Sequence, residues 1–383
     1  MSTPICDFVR DYCNSVAIRL HMPGHKGFGE LGCEALDITE VPGADDLACP
    51  EGVILASEEN TTELFGSRHT FYSAGGSSQC VKAMLHLAYI FRPDGAGNRI
   101  LAARNAHKSF LHGCALLGLE PVWLHPDAPS PLCSCPVSPQ ALTRALDEGE
   151  RPFAVYITSP DYLGGVQDTA SLAEVCHARG LPLLVDNAHG AYLKFLSPSR
   201  HPLDLGADMC CDSAHKTLPV LTGGAYLHVA EGAMAAYEDE ARHSLAVFGS
   251  SSPSYLILQS LDACNLYLAN EARPKLAACV RAVEALKADL AAQGWAVAES
   301  EPLKVTLHAS KRGWRGDALA DFLRKNGVEC EYADPDDLVL MVSPQNSPED
   351  LEKVRAAGDF LHLAHAVDRI HNPPHPPADL RPA

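Results

Sequence analysis

The chain has 383 residues, 46% of them hydrophobic, enough to build a large core and to suggest two domains in place of one. Its 30 Lys and Arg against 48 Asp and Glu leave a formal net charge of -18, which argues against a nucleic-acid-binding surface, since that role depends on clustered cations. There is no apolar run long enough to cross a membrane, and Asp7 and Asp11 stand where a signal peptide would be basic and then apolar, so the expectation is a cytoplasmic protein. The 14 cysteines are scattered through apolar segments and are expected as reduced thiols. Cys133-x-Cys135 and the adjacent Cys210-Cys211 lack the ligand spacing of a closed zinc site, so no metal is expected.

The first sixty residues alternate Gly and Pro clusters with short helical patterns, as in the segment from His21 to Gly27, and predict an arm wrapped on a larger body. From Arg68 onward, short apolar strands alternate with helix-length segments: Arg68 to Tyr72, Arg99 to Ala103, Pro121 to His125, Phe153 to Thr158, Leu181 to Val185, Ala207 to Cys211 and Gly224 to Val229. That alternation implies a mainly parallel, seven-stranded sheet in an α/β domain. Residues 231–293 turn helical and lead to a small α+β domain, with strands at Leu303 to Ala309, Val328 to Tyr332 and Leu338 to Val342 and helices at Gly316 to Asn326 and from Pro348. The expected divisions are an arm at 1–60, a large domain at 61–270, a linker helix and small domain at 271–371, and a disordered Pro- and His-rich tail at 372–383.

Chemistry gathers at the carboxyl ends of the expected strands, where open α/β sheets bind ligands. Asp186 ends the run Leu181-Pro182-Leu183-Leu184-Val185 and opens Asp186-Asn187-Ala188-His189; thirty positions later comes Lys216, in Asp212-Ser213-Ala214-His215-Lys216-Thr217. A lysine presented beside a carboxylate, with hydroxyl and imidazole neighbours, is the requirement for holding pyridoxal 5'-phosphate (PLP). Ser73-Ala74-Gly75-Gly76-Ser77-Ser78-Gln79 lies between a strand and a helix and offers amides, hydroxyls and a helix N-terminus to a phosphate; it has no P-loop lysine, which argues against a nucleoside triphosphate. His107, in Asn105-Ala106-His107-Lys108-Ser109, opens another helix, where an imidazole is available to lie on a cofactor ring or to donate a proton. Taken alone, the segments Ser250 to Tyr255 and His21 to Gly27 identify no chemistry.

In order and content these segments resemble the Orn/Lys/Arg decarboxylase family of fold type I PLP enzymes. The resemblance covers His21 to Lys26, Asp37 to Gly43 with Asp45-Asp46-Leu47, the turn at Gly75 to Ser78, Asn105 to Ser109, Asp186 to Gly190, Ser213 to Thr217, Ser251 to Tyr255 and Pro302 to Thr306. It implies the PLP-dependent transferase-like fold and a homodimer or dimer-based assembly with active sites at the interface. It also implies decarboxylation of arginine, lysine or ornithine, the chemistry of polyamine biosynthesis, through an aldimine at Lys216 and a quinonoid. Asp186 would pair with the pyridine nitrogen, His107 would stack on the ring, and His189 would sit near its phenolic side. Ser77, Ser78, Ser213 and His215 would bind the phosphate, with Gly75 and Gly76 allowing close backbone approach, and Ser251 would reach a neighbouring subunit's phosphate. His107 and Lys216 are both candidates to return the proton to Cα.

The chain departs from the family pattern at three places. Asn187 stands where an acidic residue is common, Asp212 where Gln is common, and Gly75-Gly76 where many relatives have Asn-Gly. It resembles the short form, without the N-terminal wing and large C-terminal extension of longer members. Glu331 is the candidate carboxylate for a cationic substrate side chain; its other reading is a strand-edge surface acid. Transamination or a side-chain lyase reaction on the same cofactor is the alternative chemistry, and a non-catalytic regulator retaining the fold is the alternative class.

Overall fold

The computed structural model describes residues 1–15, 17–232 and 238–358, in two compact units, Met1–Pro274 and Lys275–Ala383. The expected tail at 372–383 lies outside the described residues. Among those described, no helix is long and apolar enough to cross a membrane.

In the first unit, helix α1 (Pro4–Asn14) carries Pro at its start, where a missing N–H costs nothing, and buries Ile5 and Val9, one helical turn apart. The Cys6 amide donates to Asp262 at 2.9 Å, so the N-terminal segment is joined to the body of the large unit and is not a separate domain. Helix α2 (Val53–Phe65) follows a loop in which the Asp45 carboxylate accepts from the amides of Glu51, Gly52 and Ile54, supplying the partners a helix start lacks.

Then come β1 (His69–Ser73), α3 (Ser77–Ile90), β2 (Arg99–Ala103), α4 (Lys108–Leu117), β3 (Glu120–Leu124), α5 (Pro139–Glu148) and β4 (Ala154–Thr158). They are followed by α6 (Thr169–His177), β5 (Leu183–Asp186), β6 (Met209–Asp212), the short α7 (Ala214–Thr217) and β7 (Ala225–Val229), with α8 (Glu238–Val247) and α9 (Tyr255–Asn270) after them. All seven expected strands are present, in the order β1-β7-β6-β5-β4-β2-β3. The pairs from β6 through β5, β4 and β2 to β3 are parallel, whereas β7 runs antiparallel to both its neighbours. The carboxyl ends of β1, β2, β4, β5 and β6 therefore share one edge of the sheet.

Strand residues alternate between two cores, as the two-residue period requires. Ala102, Tyr156, Leu184, Met209 and Cys211 pack with Val81 and Met84 of α3 and Phe110 of α4, while Leu101, Val155, Ile157, Val185 and Cys210 pack with Leu142 of α5 and Leu172 of α6. Helices on both faces explain why the strands read as unbroken apolar runs.

The second unit begins within α10 (Ala272–Ala292) and contains β8 (Lys304–His308), α11 (Gly316–Lys325), β9 (Tyr332–Ala333), β10 (Asp337–Met341) and a helix over 348–358. Its antiparallel sheet has the order β8-β10-β9, and Val283, Leu286 and Leu290 pack with Val305, Leu307, Leu319 and Leu338. The unit boundary at Pro274 is four residues beyond the expected end of the large domain at 270. The strand expected over Val328 to Tyr332 is shorter than its apolar pattern suggested. Gly327 turns with φ +77° and the Val328 amide returns to the Leu323 carbonyl at 2.9 Å, which spends Val328 on capping α11. The ladder bonding begins only at Glu331, whose amide donates to Val339.

Candidate active site

The shared sheet edge brings most of the sequence-predicted residues of the first unit together. Asp186 is the last residue of β5 and is 3% exposed. Its Oδ2 accepts from the Tyr156 hydroxyl at 3.0 Å and its Oδ1 from the Ala188 amide at 3.2 Å, with the Cys211 thiol 3.7 Å from Oδ1. Tyr156 pairs in register with Leu184, so it shares a sheet face with Asp186 two residues on. Burial, followed by the Asp186 charge, pushes the Tyr156 phenol well above its ordinary pKa, so it remains a donor to that carboxylate. Burial likewise raises the Cys211 thiol, again with Asp186 adding to the effect.

On the neighbouring strand end, β6 leads directly into α7, which carries Lys216. The Lys216 Nζ lies 3.0 Å from Nε2 of the buried His189, and the His189 ring meets Tyr162 edge-on at 5.0 Å between centroids. The Ser213 hydroxyl donates to Ser77 Oγ at 2.7 Å, joining the lysine turn to the start of α3. His215 places Nδ1 2.9 Å from the Gly224 carbonyl; a carbonyl only accepts, so Nδ1 carries the proton.

The turn before α3 fits a phosphate. The Ser73 hydroxyl accepts from the Gly75 amide at 3.1 Å and donates to Gln79 Oε1 at 2.7 Å, fixing the loop. A Cβ on Gly75 would lie 2.5 Å from that same Gln79 oxygen, and Gly76 has φ +72°, a conformation side chains disfavour. Ser77 and Ser78 follow as the first residues of α3, where helix amides lack acceptors within the helix and favour an anion. A covalently attachable lysine, a buried carboxylate and a glycine-serine cradle are the donor set that PLP requires.

His107 caps α4, its Nδ1 accepting from the Ser109 amide at 3.3 Å, so its proton resides on Nε2. Although the residue keeps an exposed face, the surrounding protein lowers its pKa by desolvation; the Asp186 charge opposes this, and Lys216 and Lys108 reinforce it. Among the predicted residues of the first unit, Ser251 is not brought to this group. Ser251 is exposed and borders a cavity of about 420 Å³ with Asp46, Tyr72, Gln79 and Arg242, and Glu331 is exposed in the second unit, beside the short β9.

Sequence reasoning missed Tyr156 and a buried cluster of His201, Cys210, Asp212 and His228. Tyr156 was legible only as strand. Strand register was the signal that would have found it. His201 and His228 sit in segments with no recognisable spacing to Asp212, so only the fold unites them.

A model of the Orn/Lys/Arg decarboxylase major domain matches residues 3–309. The chain is 31% identical to the uncharacterized protein YaaO of Bacillus subtilis over 98% of its length and 83% of that protein's. It is 26% identical to an arginine decarboxylase of the same organism, covering 92% of this chain and 76% of that one. The fold is similar to that of the Francisella novicida lysine decarboxylase LdcF, with a TM-score of 0.81 and 16% identity over 95% of this chain; the chain spans 60% of the length of that structure. With the matched domain extending over most of its length, the chain belongs to the Orn/Lys/Arg decarboxylase family of PLP-dependent amino-acid decarboxylases.

Proposed function

We propose that this chain decarboxylates a basic amino acid, arginine, lysine or ornithine, to its amine with PLP bound at Lys216. The observation that carries the reading is the pairing of Lys216 with His189 beside the buried Asp186, at adjoining ends of parallel strands in a member of this family. Arginine is the first substrate to test, because the Bacillus subtilis relative bears that name.

When bound, PLP supplies an electron sink for the bond broken at Cα. The residues of the chain do the rest. Asp186, oriented by Tyr156 and the Ala188 amide, would pair with the pyridine nitrogen and keep a proton there. Ser77, Ser78, Ser213 and His215 would hold the phosphate, with Gly75 and Gly76, whose own amides donate to Ser73 Oγ and the Gly223 carbonyl, allowing close backbone approach. His107 presents a neutral imidazole with its proton at Nε2, and His189 relays a proton to or from the Lys216 amine across 3.0 Å. Either His107 or Lys216 returns the proton to Cα. Glu331 is the proposed carboxylate for the cationic end of the substrate, and Ser251 is proposed to act on a second copy's phosphate in a homodimer.

Incubating purified protein and PLP with a panel of amino acids and identifying products by mass spectrometry tests the reading. Carbon dioxide and an amine from a basic amino acid support it. An α-keto acid without carbon dioxide would favour transamination, and no turnover with any amino acid would favour a regulator.

A further inference from the structure

Asn187 and Asp212, one at each of the two strand ends that lead to the proposed site, are in contact: Asn187 Nδ2 donates to Asp212 Oδ1 at 2.6 Å. Both residues are fully buried. Asn187 follows Asp186 directly, and Asp212 lies four residues before Lys216. The pair holds one carboxamide, at residue 187, and one carboxylate, at residue 212.

The environment of Asp212 suits that charge. Its Oδ2 lies 3.0 Å from His201 Nε2 and 3.1 Å from His228 Nε2, and both imidazoles are fully buried. The Leu203 amide approaches His201 Nδ1 at 3.4 Å, which puts the His201 proton on Nε2, aimed at Asp212. His228 Nδ1 meets the Thr70 hydroxyl at 2.8 Å, leaving Nε2–H for the same carboxylate. Burial lowers the pKa of His228 despite the opposing pull of Asp212, which keeps that ring uncharged. For Asp212 burial acts to raise the carboxyl pKa, but the two imidazoles outweigh it and hold the group below the ordinary carboxylate range.

A metal is the rival explanation, because ligand atoms of His201, Cys210, Asp212 and His228 fall within 4.8 Å of one another. Two features oppose it. A metal on His201 Nε2 would force the proton onto Nδ1, against the Leu203 N–H. The 4.8 Å spread also exceeds the ligand separations of about 3.3–3.8 Å that follow from tetrahedral zinc bonds.

We propose that Asn187 and Asp212 form one carboxamide–carboxylate clasp that positions the strand ends bearing Asp186 and Lys216, with Asp212 held on its other side by the Nε2–H groups of His201 and His228. Both are positioning residues, and the inference rests on the reading of this site as a PLP site. The clasp predicts a specific genetic interaction. Asn187→Asp alone sets two carboxylates face to face, so one must take up a proton. Adding Asp212→Asn restores every hydrogen bond, since the new amide can turn its oxygen to the two imidazoles and its nitrogen to the carboxylate introduced at position 187.

The test measures PLP affinity of the apo-protein by absorbance titration and its melting temperature for wild type, N187D, D212N and N187D/D212N, with zinc content of the wild type. The expected result is at least tenfold weaker PLP binding in N187D, partly recovered as pH falls, and return of the double variant to within about threefold of wild type, using tenfold per 1.4 kcal/mol as the scale. If N187D does not fold, the double variant is expected to fold and bind PLP. A tolerated N187D, a double variant no better than N187D, or one chelatable zinc per wild-type chain would each overturn the clasp. Failure of the wild type itself to bind PLP would instead overturn the proposed function.

Discussion

His189 Nε2 lies 3.0 Å from Lys216 Nζ, and the two residues come from turns leaving adjacent parallel strands, β5 and β6. An ammonium can only donate, so in the proposed reaction His189 is the group placed to accept the Lys216 proton when the amine must act as a nucleophile. Replacing His189 with Leu is expected to lower kcat by about 10²-fold or more, the usual loss when a positioned proton carrier is removed. Steady-state kinetics across pH checks this, and an unchanged kcat and pH profile would remove His189 from the proton path.

Tyr156→Phe deletes the hydroxyl that donates to Asp186 Oδ2 at 3.0 Å. A hydrogen bond to a charged group contributes about 1.5–3 kcal/mol, so the variant is expected to lose stability on that scale and to bind PLP more weakly. Thermal denaturation and cofactor titration measure the two effects. Retention of wild-type values in both would show that Asp186 needs no help from Tyr156.

Gly76 adopts φ +72° with ψ 178°, and Ala at this position is expected to cost about 1–3 kcal/mol because its Cβ strains that conformation. The same change displaces the start of α3, the proposed phosphate cradle, so PLP affinity is expected to fall with stability. Parallel denaturation and titration of Gly76→Ala test this. Loss of stability with unchanged PLP affinity would place the phosphate elsewhere.

The pH dependence has a definite sign. His228 is fully buried with a lowered pKa, burial being the main cause, and His107 is lowered for the same reason. Each holds fewer protons folded than unfolded just below about pH 6.5, the unperturbed histidine value, so stability increases with pH there and is complete above it. Melting temperature is therefore expected to fall as pH drops below about 6.5. A melting temperature that rises on acidification through that range would contradict the uncharged assignment of His228.

The sequence revealed the seven strands of the large unit because parallel strands covered on both faces read as unbroken apolar runs. The placement of Asp186, Lys216, Ser77 and Ser213 at or just beyond strand ends, where ligands collect, was equally legible. Glu331 and Val328 show the limit. The apolar-rich run Val328 to Tyr332 reads as a strand, but tertiary demand for a helix cap takes Val328 out of it. The contacts of Asp212 were hidden for a related reason: His201 and His228 reach it from a loop turn and an antiparallel strand, and no local spacing encodes that convergence.

The most direct test of the central claim is release of labelled carbon dioxide from carboxyl-labelled arginine, lysine and ornithine by the PLP-loaded protein, beside a Lys216→Ala variant. The account predicts carbon dioxide and the matching amine from at least one of the three, dependent on added PLP, and loss of turnover in the variant. Absence of carbon dioxide with all three substrates, or equal release by Lys216→Ala, would contradict it.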